Sequence, residues 1–335
     1  MNRNIIVIGA SAGGIAAVQE ILSGLSGDLP AALFVVVHCA PESPGYLARI
    51  LDDAGPLPAA FAIDGKAIRN GQVHVAPPDL HLLLRAEEMS VMRGPKENRS
   101  RPAIDPLFRS AALNHEHRVI GVILSGMLDD GAAGLAAIKQ CGGIAVVQDP
   151  RDAAYPAMSE AALLATSVDY CVPLKQIAGV LRELAHSEAI PHPLSEEGKD
   201  RIRAELASVE QKAEGKARVE RLGRPSSLVC PECNGSLWEI EDENLLRYRC
   251  HIGHAYSSAS LALGHDEAVE RALQAALRGL EDTITMAGRL AEEGRKTQRP
   301  LVTEIYERRV KEAGEHATLL RGILSRKPVL PTGST

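Results

Sequence analysis

Four stretches constrain this chain more than anything else in it: IIVIGA (5–10), ALFVVVH (32–38), VIGVILS (119–125) and IAVVQ (144–148). Each is a short, unbroken apolar run rich in β-branched residues. A strand with one wet face alternates apolar and polar side chains, whereas a strand covered on both faces has no need to. Helical patterns separate the runs. Ile15–Leu25 carries apolar residues at 15, 18, 21, 22 and 25, and 107–114, 132–140 and 158–165 also read as helices. Strand and helix in alternation predict an α/β fold with a doubly wound, mostly parallel open sheet. Further strands are expected at HVAP (74–77), HLLL (81–84) and YCVP (170–173). GQVHVAPPDLHLLL reads as two of these strands around a Pro-rich turn, an inserted hairpin.

Composition sets outer limits. The length of 335 residues suggests about two domains. Aromatic residues are only 3% of the chain, so its core must be built from Val, Ile, Leu and Ala, which suits helices packed on a parallel sheet. The formal charge of −6 argues against a nucleic-acid partner, which would call for a basic excess. No run approaches the ~20 apolar residues that span a bilayer, and no secretory signal is visible. The expectation is a cytoplasmic protein without direct membrane insertion. Cys39, Cys141 and Cys171 are dispersed among apolar stretches, while Cys230, Cys233 and Cys250 cluster late. That distribution fits a reducing compartment better than a disulfide framework.

Composition changes near residue 186. The α/β domain is expected over 1–185. A charged, partly helical linker follows at 186–227, where Ile202, Leu206, Val209 and Ala213 keep helical spacing. A small Cys/His unit is expected at 228–258. A helical hairpin is expected at 259–327. Its stripes are Val269, Leu273, Ala276, Leu280, Ala287 and Leu290, then Ile305, Ala313, Ala317, Leu320 and Leu324, divided by Arg299-Pro300. The pair reads most simply as packed helices, with docking or dimerisation as the functional alternative; the sequence does not set the oligomeric state.

The first strand runs into VIGASAGG. A dinucleotide loop wants G-x-G-x-x-G, but Ser11 stands where the middle glycine belongs. A Walker loop wants a lysine after its last glycine, and none follows. Gly9-Ala10-Ser11-Ala12-Gly13 does match G-x-S-x-G, with a strand before it and a helix after it, the setting of a nucleophile elbow. The plainer alternative is that Ser11 only caps the helix. A serine nucleophile needs a base and an acid. His38 directly follows LFVVV, at the strand end where ligand crevices open in such sheets. Its plain alternative is a buried, hydrogen-bonded histidine. His74 and His81 are weaker candidates. For the acid, GMLDDGAAG offers both Asp129 and Asp130, which are also placed to cap a helix, and spacing does not choose between them. The order Ser, His, Asp differs from the Ser, Asp/Glu, His order of α/β-hydrolases.

In order along Asn4 to about Val180, VIGASAGG, VVVHCAP, GQVHVAPPDLHLLL, RPAIDPLFRSAA, VILSGMLDDGAAGL and MSEAAL together resemble the catalytic domain of chemotaxis protein-glutamate methylesterases. The resemblance implies that Ser11 is the nucleophile, His38 the base and Asp130, not Asp129, the acid, with Met127 at the active site. It implies a methylated chemoreceptor as partner, with methyl-esterified glutamate side chains as substrate, and deamidation of certain receptor glutamines. Backbone N–H groups near Ala12 and Met127 are the expected oxyanion hole. These residues need no cofactor for catalysis. Two departures stand out. Ala12 occupies a place that is often Thr in the family. The well-known members carry an N-terminal receiver domain, whereas this chain starts at the first catalytic strand, so control by such a domain is not expected and another signalling pathway is open. The competing reading is a non-catalytic signalling scaffold that keeps the fold; the intact Ser11, His38 and Asp130 argue against it.

Cys230-Pro231-Glu232-Cys233 is a C-x-x-C pair, and Cys250 with His254 forms C-x₃-H. Tetrahedral Zn²⁺ favours such paired ligands. Between them SLWEIEDENLLRYRC reads as a β-hairpin with Trp238 and Tyr248, giving a zinc-ribbon shape too small to hold together without a metal or crosslink. A structural zinc on Cys230, Cys233, Cys250 and His254 is the expectation. The alternatives are unrelated cysteine pairs or a disulfide. His251 is the other candidate for the fourth ligand, though His254 fits the spacing better.

Overall fold

The computed structural model describes residues 2–191, 194–211, 220, 222–242 and 245–325. Seven strands form its main sheet: β1 (Ile5–Ala10), β2 (Ala32–Val37), β3 (Ala59–Phe61), β4 (Val73–Val75), β7 (Val119–Ile123), β8 (Ile144–Gln148) and β9 (Tyr170–Val172). Their order is β3-β4-β2-β1-β7-β8-β9, and every pair is parallel. Alternate side chains feed two cores. Ile5 and Val7 of β1 face one core, which receives α3 (Ile104–His115), α4 (Ala132–Gln140) and α5 (Ala157–Ala165). Ile6 and Ile8 face the other, with α1 (Gly14–Ser23), α2 (Leu47–Asp52) and α6 (Leu174–His186). Helices on both faces explain why the strand sequences are unbroken apolar runs. The strand order reverses between β1 and β7, and in such sheets the crevice opens at the carboxyl ends beside that reversal.

The expected pairing of 74–77 with 81–84 is not what forms. β4 lies in the main sheet beside β2, where Val73 and Val75 are buried and His74 stacks on Phe34 with ring centroids 5.2 Å apart. β5 (His81–Leu84) turns back onto β6 (Met89–Met92) instead, antiparallel, with Arg85 N donating to Glu88 O at 2.9 Å. A valine-flanked strand satisfies both its faces inside the sheet, and the short turn at 85–88 closes a hairpin locally. The inserted hairpin therefore runs from 81 to 92. α6 buries Ile177, Leu181 and Leu184 at helical spacing.

Within the segment expected as a linker, α7 (Glu196–Val209) is capped by Ser195, whose hydroxyl accepts from Gly198 N at 3.2 Å. It buries Ile202, Leu206 and Val209 in the first core. Ala213 lies outside the described residues. After it come β10 (Arg224–Val229), β11 (Ser236–Asp242), β12 (Leu245–Cys250) and β13 (Ala255–Ser257), an antiparallel sheet in that order.

A buried cluster of six ionisable side chains joins these parts. Glu205 of α7 receives Arg247 at 2.7 Å and Arg249 at 3.3 Å, both from β12, and Arg109 of α3 at 3.2 Å. Glu97 receives Arg249 at 2.8 Å and also pairs with Arg109. Asp105 lies 3.7 Å from Arg109. Buried charges persist only when paired in this way.

The chain divides into two compact units, Met1–Ala262 and Leu263–Thr335. The helix Ser258–Lys296 starts at the end of the first unit; in the second it runs antiparallel to the helix Pro300–Leu324, with Arg321 on Glu281 at 2.7 Å and Arg295 near Glu307 at 3.5 Å. Ala287, Ala291, Ala313 and Ala317 are buried between them. Val269, expected on the inner stripe, is 59% exposed, and Ala276 is exposed too. The inner face keeps Leu273 and Leu280 of the expected stripe and adds Leu277 and Ile284, on a seven-residue repeat. Among the described residues no helix is long and apolar enough to cross a membrane.

Removing Glu205 takes one carboxylate from three guanidinium groups, leaving Arg109 and Arg249 to share Glu97 and Arg247 to rely on Asp242. Glu205→Ala is expected to cost about 3–5 kcal/mol in urea unfolding, and a loss under about 1 kcal/mol would show that the cluster is not fixed as described.

Candidate active site

Ser11 lies one residue beyond β1. Its N–H donates to Ser125 O at 3.0 Å, which joins the ends of β1 and β7. The chain then turns sharply into α1. Gly13 has a φ of +75°, where a side chain would be strained, and it is the helix N-cap without any side-chain cap bond. Ser11 therefore does not cap α1. Its Oγ sits 3.1 Å from His38 Nδ1. Space around it is tight: a Cβ on Gly126 would fall 2.9 Å from Ser11 Cβ and 1.9 Å from Met158 Sδ.

His38 follows β2 and donates its N–H to Ala10 O at 3.1 Å. Its Nε2 is 2.7 Å from Asp130 Oδ2. A carboxylate only accepts, so Nε2 carries the proton and Nδ1 offers its lone pair to the Ser11 hydroxyl. The two ring nitrogens have the reverse duties of the serine-protease template, in which Nε2 faces the serine. The His38 side chain is 17% exposed while Asp130 is buried, so the array opens to solvent at its serine end.

Asp130 meets the N-terminus of α3. Its Oδ2 also accepts from Ile104 N at 2.7 Å, and its Oδ1 accepts from Asn98 Nδ2 at 2.9 Å and Asp105 N at 3.3 Å. Those first helical N–H groups have no partner inside the helix, and the helix dipole favours negative charge there. Burial pushes the Asp130 carboxyl up, but His38, Ile104 and Asn98 hold it below the ordinary 3.8. Asp105, deeper in the same pocket, is pushed up to about 7 by burial, with Arg109 opposing and the Asp130 charge adding to it. Asp129 diverges from its neighbour and accepts from Ser257 Oγ at 2.6 Å.

Ser125 ties the loops together. Its hydroxyl donates to Ala12 O at 2.8 Å and accepts from Tyr155 N at 2.9 Å. Among the described residues, the N–H groups of Ala12 and Met127 have no protein acceptor. Met127 is 57% exposed. The weaker histidine candidates are engaged elsewhere. His74 is stacked on Phe34 and lowered to about 4, chiefly by burial. His81 is buried with its Nε2 2.8 Å from Pro95 O. Sequence reasoning missed Asn98, Asp105 and Ser125. Asp105 stood inside RPAIDPLFRSAA, but nothing local in the polar loop at 96–100 marks Asn98.

The Cys/His unit brings together Cys230, Cys233, Cys250 and His254, whose ligand atoms all lie within 4.8 Å of one another. Cys233 Sγ is 3.7 Å from Cys250 Sγ, and His254 Nδ1 is 3.6 Å from Cys230 Sγ and 3.5 Å from Cys250 Sγ. A tetrahedron with metal–sulfur bonds of about 2.3 Å and a metal–nitrogen bond of about 2.0 Å has edges of about 3.5–3.8 Å. The donor set thus fits a tetrahedral cation of the zinc type. His251 points elsewhere: it stacks on Trp238 at 3.9 Å and lies 3.2 Å from Glu220. All six cysteines are free, so no disulfide competes.

Fold and site together define an open α/β protein with a Ser–His–Asp array of the hydrolase type at its sheet reversal. A family model described as CheB methylesterase matches residues 6–181, and the chain belongs to that family. A Leptospira interrogans protein, provisionally named a protein-glutamate methylesterase/protein-glutamine glutaminase, is 44% identical over 179 residues, 53% of this chain and 93% of that protein. An Anaeromyxobacter dehalogenans protein-glutamate methylesterase/protein-glutamine glutaminase is 39% identical over 180 residues, which is 54% of this chain and 53% of its own length. The crystal structure of the Thermotoga maritima CheB methylesterase catalytic domain superposes with a TM-score of 0.53 at 32% identity, covering 55% of this chain and all of that one.

The raised Asp105 carboxyl has a pH signature. Between pH 3.8 and about 7 the folded protein holds a proton there that the unfolded chain releases, so this group lowers stability as pH rises through that window. Asp105→Asn removes the effect. The variant is expected to gain stability relative to the parent across the window in denaturant titrations; parallel curves would mean that Asp105 is ionised throughout.

Proposed function

We propose that this chain is a serine hydrolase that removes methyl esters from glutamate side chains of a methylated chemoreceptor or related signalling protein, and deamidates glutamine by the same route. Its catalytic domain is read as 1–185. The observation that carries the proposal is the unbroken array from Ser11 Oγ through the His38 ring to Asp130, at 3.1 and 2.7 Å, inside the family-matched region.

His38 Nδ1 takes the Ser11 proton as Oγ attacks the γ-carbonyl. The oxyanion accepts from Ala12 N–H and Met127 N–H. His38 returns its proton to the leaving methoxide, methanol departs, and a glutamyl ester remains on Ser11. Water then gives its proton to the same nitrogen, attacks the ester and frees the carboxylate and Ser11. With an amide, ammonia leaves in place of methanol. Asp130 keeps Nε2–H pointed away from Ser11 and stabilises the imidazolium. The exposed Met127 follows Gly126, which lies against Ser11, and is read as a contact for the substrate side chain.

Cys230, Cys233, Cys250 and His254 are read as holding one structural zinc ion, which would clamp the loops at 230–233 and 250–254 and leave no open coordination position. Thiolate ligands and free cysteines support a reducing, cytoplasmic setting.

Ser11→Ala is expected to lower the kcat of methanol release from methylated receptor by a factor on the order of 10⁶, as loss of a triad serine does in subtilisin. Release at the parental rate would remove Ser11 as nucleophile. The purified protein is expected to carry one zinc per chain by elemental analysis, and Cys230→Ser to lose it together with thermal stability; a fully folded, metal-free parent would refute the metal site.

A further inference from the structure

Asn98 touches both the Asp130 carboxylate and the segment that follows the Cys/His loop. Its Nδ2 donates to Asp130 Oδ1 at 2.9 Å and to Asp105 Oδ2 at 3.0 Å. Its Oδ1 accepts from Ser257 N at 3.0 Å and Ser260 Oγ at 3.2 Å. Its own N–H donates to Ala255 O at 2.8 Å. The amide faces two carboxylate oxygens on one side and two donors on the other, so its orientation is fixed by chemistry. The residue is only 8% exposed, and its φ of +47° is one that asparagine tolerates and most residues do not.

Asp130 Oδ1 has two donors. Without Asn98 it would keep only the long bond from Asp105 N at 3.3 Å, beside the Asp105 carboxyl. The charged and titratable groups around this point are His38 at the end of β2, Glu97 beside Asn98 in the chain, Asp105 with Arg109 from α3, Asp129 next to Asp130, and His81 from β5.

We propose that Asn98 is a positioning residue for the Asp130 carboxylate, held in that role by Ser257 and Ser260. The inference rests on the Ser11–His38–Asp130 reading above. It makes residues beyond the family-matched stretch part of the support of the active site, because that stretch ends at residue 181 and Ser257 and Ser260 lie after it.

The test uses the full chain, methylated receptor and methanol release measured across pH. Asn98→Gly keeps the left-handed backbone and deletes the amide. It is expected to lower kcat by about tenfold or more, with KM within about twofold, because the substrate does not touch Asn98. Asn98→Asp turns a carboxylate toward Asp130 and is expected to move the acid limb of the kcat/KM profile to higher pH, since added negative charge favours the protonated imidazole. A residue that only held the fold would lower thermal stability without moving that limb. Ser260→Ala should lower kcat in the same direction by less. Parental kcat and pH profile in Asn98→Gly would overturn the proposal; if the Asn98 variants fail to fold, the same result in Ser260→Ala overturns it. Ser11→Ala runs alongside. Undiminished release there removes the triad reading itself, whereas an inactive Ser11→Ala with an unchanged Asn98→Gly removes only the positioning role.

Discussion

The rest of the structure is arranged around one buried carboxylate. Asp130 has left water, so it needs donors on both oxygens, and it takes them from the imidazole of His38, the first turn of α3 and the amide of Asn98. This requirement fixes where α3 must start. It also brings Ile104 against the end of β1 and the loop after β7, where Gly9 and Gly131 leave it room: a Cβ on either would fall within 2.7 Å of an Ile104 methyl carbon. One electrostatic need thus accounts for the helix position, for two glycines far apart in the sequence and for the direction in which His38 points its Nε2–H.

Much of this could be read from the residues, and the reasons are specific. β1, β2, β7 and β8 were visible because two apolar faces leave no polar alternation to mislead. Ser11 and His38 were visible because each directly follows such a run. Between Asp129 and Asp130, spacing is silent and only the family resemblance points to one; in the structure His38 pairs with Asp130, while Asp129 turns toward Ser257. The hairpin was misread because the partner of HLLL is chosen by the turn at 85–88, while VHV is drawn into a sheet whose other members lie far away in the chain.

What was least legible is polar and long-range. Glu97, Asn98, Glu205, Arg247 and Arg249 sit in stretches that look like ordinary solvated loop, helix and hairpin. Nothing local distinguishes a buried glutamate from an exposed one; the difference is made by an arginine tens of residues away. The same holds for α7. Its apolar stripe was readable, but the buried Glu205 on the helix that carries it was not.

The six-residue cluster has a consequence for how such a chain can change over time. The segment from Glu97 to Arg109 contributes two acids and one arginine, Glu205 adds a third acid, and β12 supplies two arginines, of which Arg247 also pairs with Asp242 of β11. The partners of Arg249, Glu97 and Glu205, both lie outside its own hairpin. A C-terminal unit of the same shape but with different charges on its second hairpin strand would not seat on this α/β domain. The two halves are in effect a matched pair, and an exchange of either through recombination would need its counterpart to travel with it.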